Sequence, residues 1–276
     1  MTEILPLLAV NFALIVGCMI VLWLISIAIK DVSFIDSFWA IGFVVIAGAT
    51  FLLADGATQR KALILAVTAV WGLRLGGYLY WRWRKEGPDK RYVALLGKAP
   101  GSPHIHSLKN VFLIQGVLLW IVSLPVQLGQ IPAEPEAVGL LGWAGLALAA
   151  LGFFFESVGD WQMAAFKGDP ANAGKVMDRG LWRYTRHPNY FGDACVWWGL
   201  FLIAAETGVG AISAIGPAVL TWLLVKWSGA ALLERRLKRS RPGYDDYIAR
   251  TSGFIPMPPK KTAAALGGRT NSTAES

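Results

Sequence analysis

The sequence predicts an all-α membrane protein, a polytopic bundle of seven transmembrane helices, and three observations carry that prediction. Hydrophobic residues make up 55% of the 276 and the mean hydropathy is +0.48. Only 16% are charged, against about a quarter in soluble domains. Seven apolar windows reach or approach the ~20 residues that a helix needs to cross a hydrocarbon core of roughly 30 Å. These windows lack the two-residue alternation of a transmembrane β-strand.

In chain order the windows run 5–29, 33–54, 62–81, 111–129, 138–160, 191–205 and 208–227. The first has no Lys or Arg ahead of it and is far longer than a cleavable signal core, so it reads as an anchor. The second carries Asp36 about one turn in. The third holds Arg74, Tyr78 and Tyr80, with Gly72 and Gly76 at a four-residue spacing that suits close helix packing. The fifth closes on Glu156 and Asp160, four residues apart and therefore on one helical face. The sixth opens near Asp193 and is the shortest, which leaves six or seven crossings open from length alone.

Counting basic residues decides orientation. Lys and Arg number seven in 82–110, five in 161–190 and ten from 226 onward, whereas 130–137 and 205–207 hold none and 55–61 holds Arg60 and Lys61. The alternation puts the N-terminus outside, the C-terminus in the cytoplasm and an odd number of spans between, which favours seven. The net charge of +8 is then positive-inside bias with attraction to anionic lipid, and no nucleic-acid partner is needed. Cys18 and Cys195 imply no disulfide framework. His104 and His106 flank Ile105 without a Cys or carboxylate at ligand spacing, so no metal site is expected. Residues 1–258 read as one membrane domain, with a cofactor-binding half from about 150 to 258. Residues 259–276 read as a disordered cytoplasmic tail.

Ionisable groups inside a bilayer are costly unless paired or turned to a cavity. With this orientation Asp36, Arg74, Glu156, Asp160 and Asp193 all fall in the cytoplasmic half, which predicts a polar cavity open to the cytoplasm. Beside it lies "RGLWRYTRHPNYFGD" (179–193), rich in arginine and aromatics. "GVG" at 208–210 lacks the third glycine and the preceding strand of a dinucleotide fingerprint.

"DRGLWRYTRHPNYFGD" resembles the cofactor-binding signature of the membrane steroid and sterol reductases and of a bacterial steroid-reductase-like family. "DSFW", "EGPDKRY", "ESVGDWQMAAFK" and "GYDDYIARTSGFIP" are similar to blocks of that bacterial family in the same order, so the resemblance runs from about residue 30 to 258. Arg-His-Pro-Asn-Tyr-x-Gly alone is also similar to isoprenylcysteine and phospholipid methyltransferases, which use S-adenosylmethionine. The resemblance implies NADPH as cofactor, with S-adenosylmethionine as the alternative, and a hydrophobic lipid or steroid-like substrate entering from the bilayer.

Chemistry is consistent with that implication. A dinucleotide phosphate needs fixed cations, and Lys167, Arg179, Arg183, Arg186 and His187 supply them. Asn189, Asp160, Glu156 and Asp193 offer hydrogen bonds to ribose or carboxamide groups. Trp182, Tyr184, Tyr190, Tyr244 and Tyr247 can enclose adenine, with Arg250 following in the tail. Pro188 disfavours helix at His187, so the basic segment should arrive extended and the sixth span begin just after it.

Saturating a C=C bond conjugated with a carbonyl also needs a donor where enolate charge develops and an apolar slot for the alkene. Tyr78 and Tyr80 are both candidates for the donor, tuned by Arg74, Arg82 or Asp36. Trp39, Trp71, Trp81, Trp83, Trp197 and Trp198 are candidates for the slot. The glutamine–glutamate pair of steroid reductases is not recognisable, since "SFIDSFW" offers Asp36 without a glutamine.

Overall fold

The computed structural model describes residues 4–227 and 230–260. Its regular structure there is helical, with one isolated parallel bridge pairing Thr185 and Ser252. Six helices are long and apolar enough to cross a membrane: α1 (Ile4–Ile29), α2 (Ile35–Leu53), α3 (Thr58–Glu86), α5 (Pro103–Val122), α7 (Leu140–Gly168) and α9 (Gly208–Trp227). Between them lie α4 (Lys90–Gly97), α6 (Leu124–Leu128) and α8 (Pro188–Ala204), and α10 (Ala230–Ser240) and α11 (Tyr244–Arg250) follow. Helix α8 has 17 residues, about 26 Å at 1.5 Å per residue, roughly a turn short of a full crossing. The protein is a polytopic helical membrane protein, as the hydropathy windows predict.

Two helices outrun their windows. Helix α3 continues to Glu86 and α7 to Gly168, because "RWRKE" and "WQMAAFK" are too polar for lipid yet are good helix formers. Lys85 and Lys167 in the last turns also favour the negative end of the helix dipole. Glu156 and Asp160 therefore sit inside a helix rather than at its end. Helix α3 stops at Gly87, whose φ of 74° is open to glycine.

The chain forms two compact units. The first takes in the chain to Ala149 together with Trp197–Val219. In it α3 lies close on α2: a methyl added at Gly72 would come 2.8 Å from the Ala40 carbonyl oxygen, and one at Gly76 2.7 Å from Ile41 Cδ1. Phe43, Trp71 and Trp197 make an aromatic core, with the two indoles edge to face at 5.4 Å. Trp71 and Trp197 are fully buried and serve packing in this unit.

A polar core accompanies the aromatic one. Asn11 Nδ2 donates to Thr50 Oγ1 (2.9 Å) and Gln127 Oε1 (3.0 Å), while Gln127 Nε2 donates to Ser123 Oγ (2.8 Å). These groups are sealed from solvent, so each hydrogen bond removes the cost of an unsatisfied buried dipole. Arg60, counted above as a loop charge, is likewise fully buried. It donates to the carbonyls of Gly129 (3.0 Å), Pro135 (2.8 Å) and Pro132, closing the turn after α6. Glu206 Oε1 accepts from Gly142 N at 2.9 Å, placing an acid at the positive end of α7.

The second unit holds Ala150–Val196 and the chain from Leu220 on. Here the later half of α7 packs on the start of α8 through glycine: a methyl at Gly192 would fall 2.5 Å from the Gly152 carbonyl oxygen. Gly192→Leu should therefore cost at least the ~1–3 kcal/mol of an overpacked core, read as a lower thermal midpoint in detergent. Gly17→Leu on α1, where nothing lies within 4 Å, should leave the midpoint near wild type. Equal midpoints for the two variants would contradict the packing.

Candidate functional site

The loop joining α7 to α8 is laid back along α7. Gly180, with φ 58°, turns the chain so closely that any Cβ would collide with Gln162. Leu181 N then donates to Gln162 Oε1 (2.9 Å) and Trp182 Nε1 to the Gly159 carbonyl (3.0 Å). These anchors wind residues 180–183 into a 3₁₀ turn, where an extended segment was expected. Helix α8 starts at Pro188, as the proline requires.

The chain after α10 straps this loop down. Arg186 N donates to the Ser252 carbonyl (2.9 Å), Met257 N to the Tyr184 carbonyl (3.0 Å) and Thr185 Oγ1 to the Phe254 carbonyl (2.8 Å). Tyr247 Oη donates to the Trp182 carbonyl at 2.5 Å, and Arg250 Nη2 to Asp178 Oδ2 at 2.7 Å. Tyr244 and Tyr247 are buried within the strap. Burial, then the charge of Glu234, pushes the Tyr244 phenol up to about 12; burial, then Tyr244, pushes Tyr247 up as well. Both stay protonated near neutral pH. Tyr247 thus fastens the loop and Tyr244 packs on Tyr247 with ring centres 5.7 Å apart; both were expected to enclose adenine.

The five cations expected to act together divide into two groups. Arg186 and His187 turn inward onto Glu234 of α10: Arg186 Nε to Oε1 at 2.8 Å, Nη2 to Oε2 at 3.3 Å, and His187 Nε2 to Oε1 at 3.0 Å. The remaining Arg186 nitrogen, Nη1, donates to the carbonyls of Thr251 (2.6 Å) and Ile248 (3.3 Å). The His187 ring is buried and stacks on Tyr190 with centroids 5.3 Å apart. Lys167, Arg179 and Arg183 are exposed and form no ion pair among the described residues, and Tyr184 beside them is exposed too.

Burial alone would push the Glu234 carboxyl up, but hydrogen bonds from His187 and Arg186 and the Arg186 charge outweigh it and hold the group at about 2. A folded value below the ordinary 4.5 adds stability that is complete above about pH 4.5 and lost as the pH falls toward 2. The thermal midpoint of the wild-type protein should decline through that acidic window, with a shallower decline in Glu234→Gln. Parallel profiles would mean that Glu234 carries no net linkage.

On α7, Glu156 and Asp160 are buried one turn apart and meet the first turn of α8. Asn189 Nδ2 donates to Asp160 Oδ1 at 3.2 Å, and Gly192 packs on Glu156. The loop thus has a buried carboxylate–amide floor and an exposed basic side. Asp193 follows on α8, its side chain engaged within the fold.

In the first unit the expected donors also separate. Tyr80 is 53% exposed and lies against Trp83, whereas Tyr78 is half-buried, with the Arg74 guanidinium 5.5 Å from its ring centre and Trp81 stacked on it. Asp36, expected to tune one of them, meets Tyr92 and Arg91: it accepts from Tyr92 Oη (2.5 Å) and Arg91 Nη2 (3.1 Å), and Gln115 Nε2 donates to the same phenol oxygen (3.0 Å). Burial, then the charge of Asp36, pushes the Tyr92 phenol up. This network ties α2, α4 and α5 together. Trp83 Nε1 donates to Asp31 Oδ2 at 2.7 Å, and so has a structural partner too.

Tyr92 and Glu234 were not singled out in the sequence. Tyr92 ends "EGPDKRY", a stretch whose composition reads as a turn. Glu234 is one acid in "LLERRLKRS", where a surface pair with Lys238 is the simpler expectation.

Comparison with known proteins places these residues in context. A family of proteins of unknown function, DUF1295, matches residues 22–251. An uncharacterized protein of the fission yeast Schizosaccharomyces pombe is 25% identical over 272 residues, covering 86% of this chain and 76% of the yeast protein. No solved structure matches.

Proposed function

The chain belongs to the DUF1295 family, and from the chemistry of its α7–α8 loop we propose that it is a membrane NADPH-dependent reductase that saturates a C=C bond of a hydrophobic lipid or steroid-like substrate. The observation that supports this most is the division of the loop's cations. Arg186 and His187 hold the loop together through Glu234, which leaves Lys167, Arg179 and Arg183 exposed for a ligand. Three cations suit a phosphate-bearing dinucleotide, and the resemblance of "DRGLWRYTRHPNYFGD" to reductase signatures points the same way.

The residues present fit such a cofactor. Lys167, Arg179 and Arg183 would hold its phosphates, Asn189 and the carboxylates of Glu156 and Asp160 its hydroxyl or carboxamide groups, and Tyr184 its adenine. When bound, NADPH supplies a hydride to the electron-poor alkene carbon. The chain must then furnish a proton and stabilise the enolate oxygen. Tyr78 is assigned the proton, because its ring is half-buried and the Arg74 guanidinium stands over it. Tyr80, largely exposed, is the weaker donor.

In this reading the protein sits in a bacterial inner membrane with the loop on the cytoplasmic side and α8 as the seventh crossing. A C-terminal fluorescent-protein fusion should fluoresce and a C-terminal alkaline phosphatase fusion stay inactive. The reverse pattern would invert the topology.

Thermal-shift titration of detergent-purified protein with NADPH, NADH and S-adenosylmethionine tests the cofactor. A ligand at about 100 times its dissociation constant stabilises by about 2.7 kcal/mol. Stabilisation by NADPH, lost in Arg179→Ala with Arg183→Ala, is expected. A response to S-adenosylmethionine alone would make the protein a methyltransferase and remove the hydride chemistry.

A further inference from the structure

Among the described residues, the Glu234 carboxylate is the side-chain group that touches both Arg186 and His187. We infer that Glu234 is a positioning residue, which holds Arg186 and His187 so that the loop presents Asn189, Arg179 and Arg183 to the cofactor. The inference rests on the cofactor reading above and assigns a role to a residue outside the loop signature.

The geometry separates holding from binding. All three Arg186 nitrogens have partners: two on Glu234 and the third on the carbonyls of Ile248 and Thr251. An ionised carboxylate only accepts, so His187 Nε2 carries the hydrogen shared with Glu234 Oε1. The ring is buried against Tyr190, which leaves it no free edge for a phosphate. Arg186 and His187 are therefore poor direct ligands, although they look like the strongest phosphate binders in the linear signature.

Their position makes them effective levers. Only Pro188, with its restricted φ, separates His187 from Asn189, and Asn189 meets Asp160 on α7. Fixing the two residues ahead of the proline fixes the direction in which α8 starts and hence where the Asn189 amide lies. Upstream, the same anchor sets the end of the 3₁₀ turn that carries Arg183, while Arg186 N and Thr185 join the strap at Ser252 and Phe254. The charged and titratable groups that face Glu234 are Arg186, His187 and, from α11, Tyr244. Losing the Glu234 charge would leave Arg186 without its counter-ion, free to swing and carry the loop with it.

The test uses the full-length protein in detergent. Amide hydrogen exchange across 179–190 is measured without ligand, and NADPH affinity by quenching of tryptophan fluorescence, in wild type, Glu234→Gln and Glu234→Asp. Glutamine keeps the size but turns amide hydrogens toward two donors. The expected result is faster exchange confined to that loop and its strap, with NADPH binding weakened by about tenfold, equivalent to about 1.4 kcal/mol. Aspartate should restore both toward wild type. Unchanged exchange in Glu234→Gln, or faster exchange throughout the protein with unchanged NADPH affinity, would overturn the positioning role. Loop-confined exchange in a protein whose wild type does not bind NADPH would uphold Glu234 as the holder of the loop and remove the cofactor reading instead.

Discussion

Tyr78→Phe should lower the rate of NADPH-dependent reduction by about 10²–10⁴-fold, the usual contribution of a positioned general acid, while leaving NADPH affinity unchanged. The variant deletes one hydroxyl from a half-buried ring and keeps the Arg74 contact at 5.5 Å, so fold and cofactor loop should persist. A panel of conjugated isoprenoid and steroid-like ketones, assayed by consumption of NADPH, provides the measurement. Tyr80→Phe should react at nearly the wild-type rate because that ring is 53% exposed. Tyr92→Phe is the informative contrast. It leaves Gln115 Nε2 without its acceptor and removes a 2.5 Å bond to Asp36, which should cost about 1–3 kcal/mol of stability with little effect on turnover of the folded protein. A full rate in Tyr78→Phe would remove the donor assignment. A lost rate in Tyr92→Phe at unchanged stability would move it to Tyr92.

Arg186→Ala should cost more stability than any other change in the loop. The side chains of Arg186 and Glu234 are only 13% and 18% exposed, and breaking a buried pair from one side typically costs about 3–5 kcal/mol because the other charge stays behind. The Ile248 and Thr251 carbonyls lose their donor as well. Against the ~5–15 kcal/mol that holds an ordinary protein folded, that is enough to release the strap. Trypsin should then cut near Arg179 and Arg183 in the variant and spare the wild type. The double variant Arg186→Met with Glu234→Leu, which removes both charges, should recover part of the lost stability. A double variant no more stable than Arg186→Ala would show that the carbonyl contacts, and not the charge, dominate.

The helices were legible in the sequence because lipid leaves the backbone few alternatives: long apolar runs must become helices. All seven windows coincide with helical segments, with α8 the shortest in both descriptions. The extra turns of α3 and α7 were hidden because hydropathy marks where lipid ends, while helix propensity decides where the helix does. Start and stop signals read well where backbone chemistry is local, as at Pro188 and Gly87.

Hydropathy by itself determined a polytopic helical membrane protein and where its long apolar helices lie. Composition counts charges but does not show which of them neutralise one another. Only tertiary structure decided that Arg186 and His187 face Glu234, that Arg60 closes a turn and that Asp36 meets Tyr92. These pairings join residues 47 to 75 positions apart, across which no periodicity extends. They arise because a buried charge must find a partner, and which partner it finds depends on how the helices pack.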